Sequence, residues 1–132
     1  MNLKIIKSIR TNNFKDDDIM QKITDMWKGA SSLLNNQDAI TYGLYSDYES
    51  DYKGDYSLSA AIEGSDNESS IEIPSSSKYE IFRVDTSDEF GILKAWKEIW
   101  DREEKGILER AYLYDFEKYY PNGQIEIHIG IK

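Results

Sequence analysis

Two stretches of this sequence carry an apolar stripe at helical spacing, about 70 residues apart, and each sits in the same order of elements. From Asp16 to Leu34 the apolar residues Ile19, Met20, Ile23, Met26, Trp27, Ala30, Leu33 and Leu34 recur at gaps of three and four. From Asp88 to Glu104 the residues Phe90, Leu93, Trp96, Ile99 and Trp100 do the same. The spacing predicts helices over 16–34 and 88–104. Asp16-Asp17-Asp18 suits the positive end of the first, and Thr86-Ser87-Asp88-Glu89 reads as a capping box opening the second. Asn35-Asn36-Gln37-Asp38 and Gly106 read as their stops.

Around each helix lie stretches with strand character. Leu3–Arg10 precedes the first, with Leu3, Ile5 and Ile9 on one face and Ile6 on the other. Ala39–Tyr45 and Tyr56–Ile62 follow it, joined by an acidic segment, Ser46–Asp55. Glu63–Ser70 reads as a solvated loop before a short extended piece at Ile71–Ile73. Lys78–Val84 precedes the second helix. Arg110–Tyr119 and Gln124–Lys132 follow it around Pro121-Asn122-Gly123, a hairpin signal. Along the last strand Ile125, Ile127, Ile129 and Ile131 alternate with Gln124, Glu126, His128 and Gly130. Strand–helix–strand–strand, repeated, predicts one α+β domain over 1–132: an antiparallel sheet with both helices on one face. Its pseudo-twofold relation predicts a central cleft between the halves, expected on the side away from the helices.

Composition narrows the function. The chain has 25 acidic and 16 basic residues, for a net charge of −9, and residues 47–72 hold eight of the acids against one lysine. A surface of that sign repels phosphates and anionic lipid, so no direct nucleic-acid or membrane binding is expected. No apolar run is long enough to span a bilayer and no signal-peptide core is present, so a cytoplasmic protein is expected. With no cysteine and one histidine, a thiolate nucleophile, a cysteine zinc site and a multi-histidine centre are excluded. No glycine-rich phosphate loop or nucleophile elbow occurs, and no cofactor is expected. Asp47-x-Glu49-x-Asp51 resembles the start of a calcium loop but fails at Tyr52 and Leu58, where glycine and glutamate are required.

What remains is aromatic and acidic. Ten of the 17 aromatic residues are tyrosines, and Tyr45, Tyr48, Tyr52 and Tyr56 form a series that reads equally as a recognition surface or a tyrosine-rich hairpin. Trp27, Trp96 and Trp100 lie on the helix stripes, where packing is the default role and a ligand wall the alternative. His128 reads as an ordinary strand histidine. Glu117 stands out because it lies within Tyr112-Leu113-Tyr114-Asp115-Phe116-Glu117-Lys118-Tyr119-Tyr120. A carboxylate desolvated among rings favours a lipophilic cation, drawn by its charge and by the ring faces. The competing reading is an exposed strand glutamate paired with Lys118 or Arg110.

Several segments, in order, resemble the GyrI-like small-molecule-binding family, the effector-binding domain of AraC-type and MerR-type transcription activators. They are Ile9–Asn13, Tyr42–Tyr56, Ile73-Pro74 with Lys78-Tyr79, Ala95–Trp100, Arg110–Tyr119 and Ile125–Lys132. The resemblance covers nearly the whole chain and is closest to the stand-alone, integron-associated branch. It implies two strand–helix–strand–strand repeats and an aromatic cleft whose glutamate recognises cationic, lipophilic drugs or dyes. By motif that glutamate is Glu117, and Tyr45, Tyr48, Trp96 and Trp100 match the family's aromatics. The N-terminal strand region is shorter than usual, and His128 stands where tyrosine is common. No helix-turn-helix is expected.

The expected function is therefore a stand-alone binding module for amphipathic, cationic aromatic molecules, in multidrug sensing or sequestration, without turnover. The alternatives are hydrolytic detoxification in the same cleft, with Glu117, Glu126 or a pocket tyrosine as base, or an acidic protein-interaction module of the gyrase-inhibitor type. A protein partner and a homodimer stay open.

Overall fold

The computed structural model describes residues 1–33, 39–64 and 71–132. The first repeat is β1 (Asn2–Thr11), α1 (Ile19–Ser31), β2 (Thr41–Ser46) and β3 (Tyr56–Glu63). A two-residue strand, β4 (Ile71–Glu72), precedes the second: β5 (Lys78–Arg83), α2 (Gly91–Glu104), β6 (Asp115–Tyr119) and β7 (Ile125–Ile131). Among the described residues the seven strands form one sheet, in the order β4-β1-β3-β2-β6-β7-β5, and every pairing is antiparallel. The halves β1-β3-β2 and β5-β7-β6 are related across the β2–β6 seam, as the duplicated order requires. Leu34, the Asn35–Asp38 stop and most of the Glu63–Ser70 loop lie outside the described residues.

Alternation along the strands sorts the core into two faces. Tyr56, Leu58 and Ala60 of β3 pack with Met26 and Ala30 of α1, while Phe82, Ile127 and Ile129 pack with Ala95, Trp96 and Ile99 of α2. Ala60 pairs with Gly43, Gly43 with Glu117 and Glu117 with Ile127, so all these residues share one face. Both helices therefore cover the same side. The opposite face holds Leu3, Tyr42, Leu44, Ala61 and Phe116, closed by Ile73 with Ile71, Tyr79 and Tyr114 around it. Among the described residues that face is a packed core, with no cleft on the side away from the helices where one was expected. Each fully buried Leu, Ile or Phe removed from water contributes about 1.5–3 kcal/mol.

Local departures from the sequence pattern have identifiable causes. The β1–β3 register shifts between Ile5 and Lys7, and this bulge carries Ile9 onto the helix face beside Ile6, whereas Leu3 stays on the other. The Asp16–Asp18 run precedes α1: Asp16 accepts from Thr11 at 2.8 Å, the Asp18 amide at 2.9 Å and Lys22 at 2.5 Å. The Thr86 capping box does not form. Asp85 accepts from Ser87, Asp88 accepts from the Phe90 amide, and α2 begins at Gly91, where a Cβ would meet the Asp85 carbonyl oxygen at 2.1 Å. Gly91, Ala95, Trp96 and Ile99 are buried, while Phe90 and Leu93 are exposed. The expected strand over 110–119 is broken at Tyr112, which has φ +54, leaving Arg110 in a single bridge to Ile131 before β6 starts. Gly106 (φ +74) ends α2 and Gly123 (φ +92) turns the β6–β7 hairpin, both as expected.

Candidate functional site

Glu117 occupies the middle of β6 at the seam, directly opposite Gly43 of β2. Its side chain stands on the helix face between α1 and α2 and is only 5% exposed. Tyr45 donates to Oε2 at 2.8 Å, Trp96 Nε1 to the same oxygen at 2.7 Å, and Tyr119 to Oε1 at 2.6 Å. Gly43 makes room for the group: a Cβ there would lie 3.1 Å from Oε1 and 3.4 Å from Trp27 Cζ2. Burial and the nearby Glu117 charge push the Tyr45, Tyr56 and Tyr119 hydroxyls above the ordinary phenol value. These hydroxyls stay protonated, and those of Tyr45 and Tyr119 act as neutral donors to the carboxylate. Among the described residues no cation lies within ion-pair distance of Glu117.

Neither half of the exposed-glutamate reading holds. Arg110 instead pairs with the fully buried Asp115 at 2.8 Å, and Lys118 alternates to the other face, over the rings of Tyr42 and Tyr120. Asp115 is further satisfied by the Tyr48 hydroxyl and by the Gly130 amide at 2.7 Å. Burial disfavours the Arg110 charge, but Asp115, Tyr48 and Tyr112 outweigh this and raise its pKa. The guanidinium lies 4.4 Å from the Tyr112 ring centroid and 5.9 Å from that of Trp96. Two buried ionic centres thus share Trp96 as a partition. One is internally neutralised, and the other holds a charge that only neutral donors address.

Of the residues singled out in the sequence, Tyr45 and Trp96 touch Glu117, and their rings lie 4.9 Å apart. Tyr48 reaches the site through Tyr56, at 6.5 Å, while its hydroxyl serves Asp115. Trp100 lies one turn beyond Trp96 and stacks on Tyr52 at 5.5 Å and 12°, with Phe14 against it. It borders a separate shallow groove lined by Phe14, Lys15, Tyr52 and Lys53. His128 stacks on Phe116 at 4.6 Å on the opposite face, and its Nε2 meets Glu126 at 3.2 Å. Two residues beside the carboxylate were not among the aromatics matched to the family: Tyr119, which shares Glu117's face two positions on, and Trp27, read as packing with a ligand wall as the alternative, whose ring meets Tyr119 edge-on at 5.5 Å. The i, i+2 relation of Glu117 and Tyr119 was the available signal. Trp27, Tyr119, Ser31 and Thr41 line an open groove of about 350 Å³ beside the carboxylate.

The model of a family of integron-associated effector binding proteins, Cass2, matches residues 6–131. The chain belongs to that family. This Cass2 chain is also similar to a solved integron cassette protein from the mobile metagenome of Vibrio cholerae, with 26% identity, 99% of this chain and 95% of that chain covered, and a TM-score of 0.70. No curated protein matches it. The resemblance to the integron-associated branch is borne out, as is the α+β fold with both helices on one face of an antiparallel sheet. As a Cass2 member the chain is an effector-binding protein, a small-molecule-binding module. Among the described residues no helix is long and apolar enough to cross a membrane.

Proposed function

We propose that this Cass2 protein binds amphipathic, cationic aromatic molecules between its two helices, with Glu117 as the charge anchor, in drug sensing or sequestration. The observation that carries the reading is a carboxylate 5% exposed that, among the described residues, rests on three neutral donors and no cation. A buried charge in that state keeps a large unmet attraction for a positive group. The rings of Trp27, Tyr45, Trp96 and Tyr119 supply apolar area and π-faces for a flat cation. Trp100 and Tyr48 act at one remove, Trp100 by backing Trp96 and Tyr48 by holding Asp115 and the hairpin.

The test is a thermal-shift screen of planar cations, matched neutral analogues and anions, with product analysis of every hit. Cations that raise the melting temperature and are recovered unchanged support the binding role. Consumption of the compound would favour hydrolysis, and stabilisation by neutral analogues equal to that by cations would remove Glu117 from its role. In the acidic loop 47–55, Asp55 accepts from Asn12 and Asp51 from the Lys53 amide, while Asp47, Glu49 and Asp51 are exposed.

A further inference from the structure

We infer that Tyr119 is the gate of the Glu117 site: a monocation enters from the groove lined by Trp27, Ser31, Thr41 and Tyr119 and replaces the Tyr119 hydroxyl on Oε1. This rests on the reading of Glu117 as the cation anchor and adds the route, the displaced group and the stoichiometry of charge.

The two oxygens of Glu117 are held unequally. Oε2 takes two donors, and both come from packed surroundings: Trp96 is 8% exposed, and Tyr45 is wedged between the rings of Trp96 and Tyr56. Oε1 takes one donor, Tyr119. The same Tyr119 forms a wall of the open groove, so a single ring separates solvent-reachable space from the carboxylate. Thr41 lies directly across the β2–β6 pairing from Tyr119, and Trp27 leans edge-on against it, which frames the opening on both sides. Among the described residues that line the groove none is acidic, and Oε1 is the negative atom behind its Tyr119 wall.

Departure of Tyr119 exposes one oxygen while Trp96 and Tyr45 keep the other. One freed oxygen of one carboxylate neutralises one positive centre, so the site takes a monocation whose aromatic body stays between Trp27 and the displaced Tyr119 ring. The burial and Glu117 charge that keep the Tyr119 hydroxyl protonated mean that it leaves as a neutral phenol and carries no charge out of the site. Tyr119 is then a competitor of the ligand. Breaking its bond to a charged oxygen is a cost that every entering cation meets.

The experiment titrates one cationic aromatic dye and its neutral isostere against the parent protein, Tyr119→Phe, Ser31→Trp and Glu117→Gln, reading affinity and association rate by tryptophan fluorescence. Tyr119→Phe removes the competing hydroxyl and keeps the ring, so cation affinity rises by about tenfold while the neutral isostere is unaffected. Ser31→Trp fills the groove mouth and slows association of the cation. If the parent binds the cation in a Glu117-dependent way but Tyr119→Phe binds it equally or more weakly, the gate is overturned while the anchor stands. Association unchanged by Ser31→Trp would overturn the route. If the parent and Glu117→Gln bind the cation alike, the anchor itself fails. Thermal unfolding of Tyr119→Phe separates a folding defect from a binding one, and Ser31→Trp, at an exposed helix end, keeps the route testable in either case.

Discussion

Trp96 of α2 donates its indole N–H to Glu117 of β6 at 2.7 Å, a bond that ties the middle of a helix to the central seam of the sheet. It is a hydrogen bond to a charged, buried acceptor and belongs to the stronger class. Trp96→Phe keeps the apolar packing and removes the donor. The expected loss is about 1.5–3 kcal/mol of folding stability, read by urea denaturation. A loss under about 0.5 kcal/mol would show that the indole contributes packing alone.

Gly43 lies opposite Glu117 in a tight space: a Cβ would stand 3.1 Å from Oε1 and 3.4 Å from Trp27. Gly43→Ala therefore presses on the atoms that the ligand needs while leaving the β2 backbone in a conformation alanine adopts. Cation affinity is expected to fall by about tenfold, or about 1.4 kcal/mol, with stability changed by less than that. Isothermal titration alongside thermal unfolding checks the split.

Arg110 and Asp115 form the second buried centre, and breaking it is expected to be far more costly than altering the Glu117 site. Arg110→Met leaves Asp115 charged, fully buried and held only by Tyr48 and the Gly130 amide. The expected destabilisation is about 3–5 kcal/mol. Denaturant unfolding measures it. In the protein that remains folded, cation binding should persist, because Arg110 does not touch Glu117.

The fold was legible wherever local pattern and tertiary packing agree. The stripe of Met26 and Ala30, the Pro121-Asn122-Gly123 hairpin and the Gly106 stop all report local physics. The capping box at Thr86 was not, because the tight approach of Gly91 to the Asp85 carbonyl decides where α2 starts, and that contact is invisible in a linear pattern. The turn of Ile9 to the helix face follows from a one-residue bulge against β3, and register is a property of the pair of strands. At the site, Glu117 and Trp96 were legible because a carboxylate among rings is chemically conspicuous. The meeting of Trp27 with Tyr119 was not, because it depends on how α1 crosses the seam. The candidate site lies on the helix face and not on the side expected for a related reason: among the described residues the opposite face fills with Tyr42, Leu44 and Phe116, and no spacing rule anticipates that closure.

His128 makes stability pH-dependent. Burial against Phe116 and Tyr79 holds its imidazole below the ordinary 6.5, an effect larger than the opposing pull of Glu126, and Lys118 adds to it. The unfolded chain then binds a proton that the folded one resists, so stability falls as pH drops from about 6.5 toward the folded value and is regained as pH rises. Glu126 acts lower: the Tyr120 hydrogen bond, with His128 and Arg83, holds its carboxyl below the usual 4.5, and its contribution is lost as pH falls through that lowered value. In His128→Phe the slope of stability between pH 7 and 5.5 should flatten, and the slope below pH 4.5 should shrink but persist, carried by Tyr120 and Arg83. Equal slopes in both proteins above pH 5.5 would contradict the assignment.

The charge of Glu117 is the centre of the account, and Glu117→Gln isolates it. The amide oxygen can take the place of Oε2 and keep Tyr45 and Trp96, while the amide N–H₂ meets the Tyr119 hydroxyl, which turns to accept. Folding stability should therefore stay within about 1 kcal/mol of the parent or rise, since an uncompensated buried charge is removed. The deciding measurement is the affinity of one cationic aromatic scaffold and its neutral isostere for the parent and for Glu117→Gln, by isothermal titration at fixed salt. The account predicts that the substitution weakens the cation by about 1–3 kcal/mol, roughly one to two orders of magnitude, and leaves the neutral isostere unchanged. Equal cation affinity for the two proteins would contradict it.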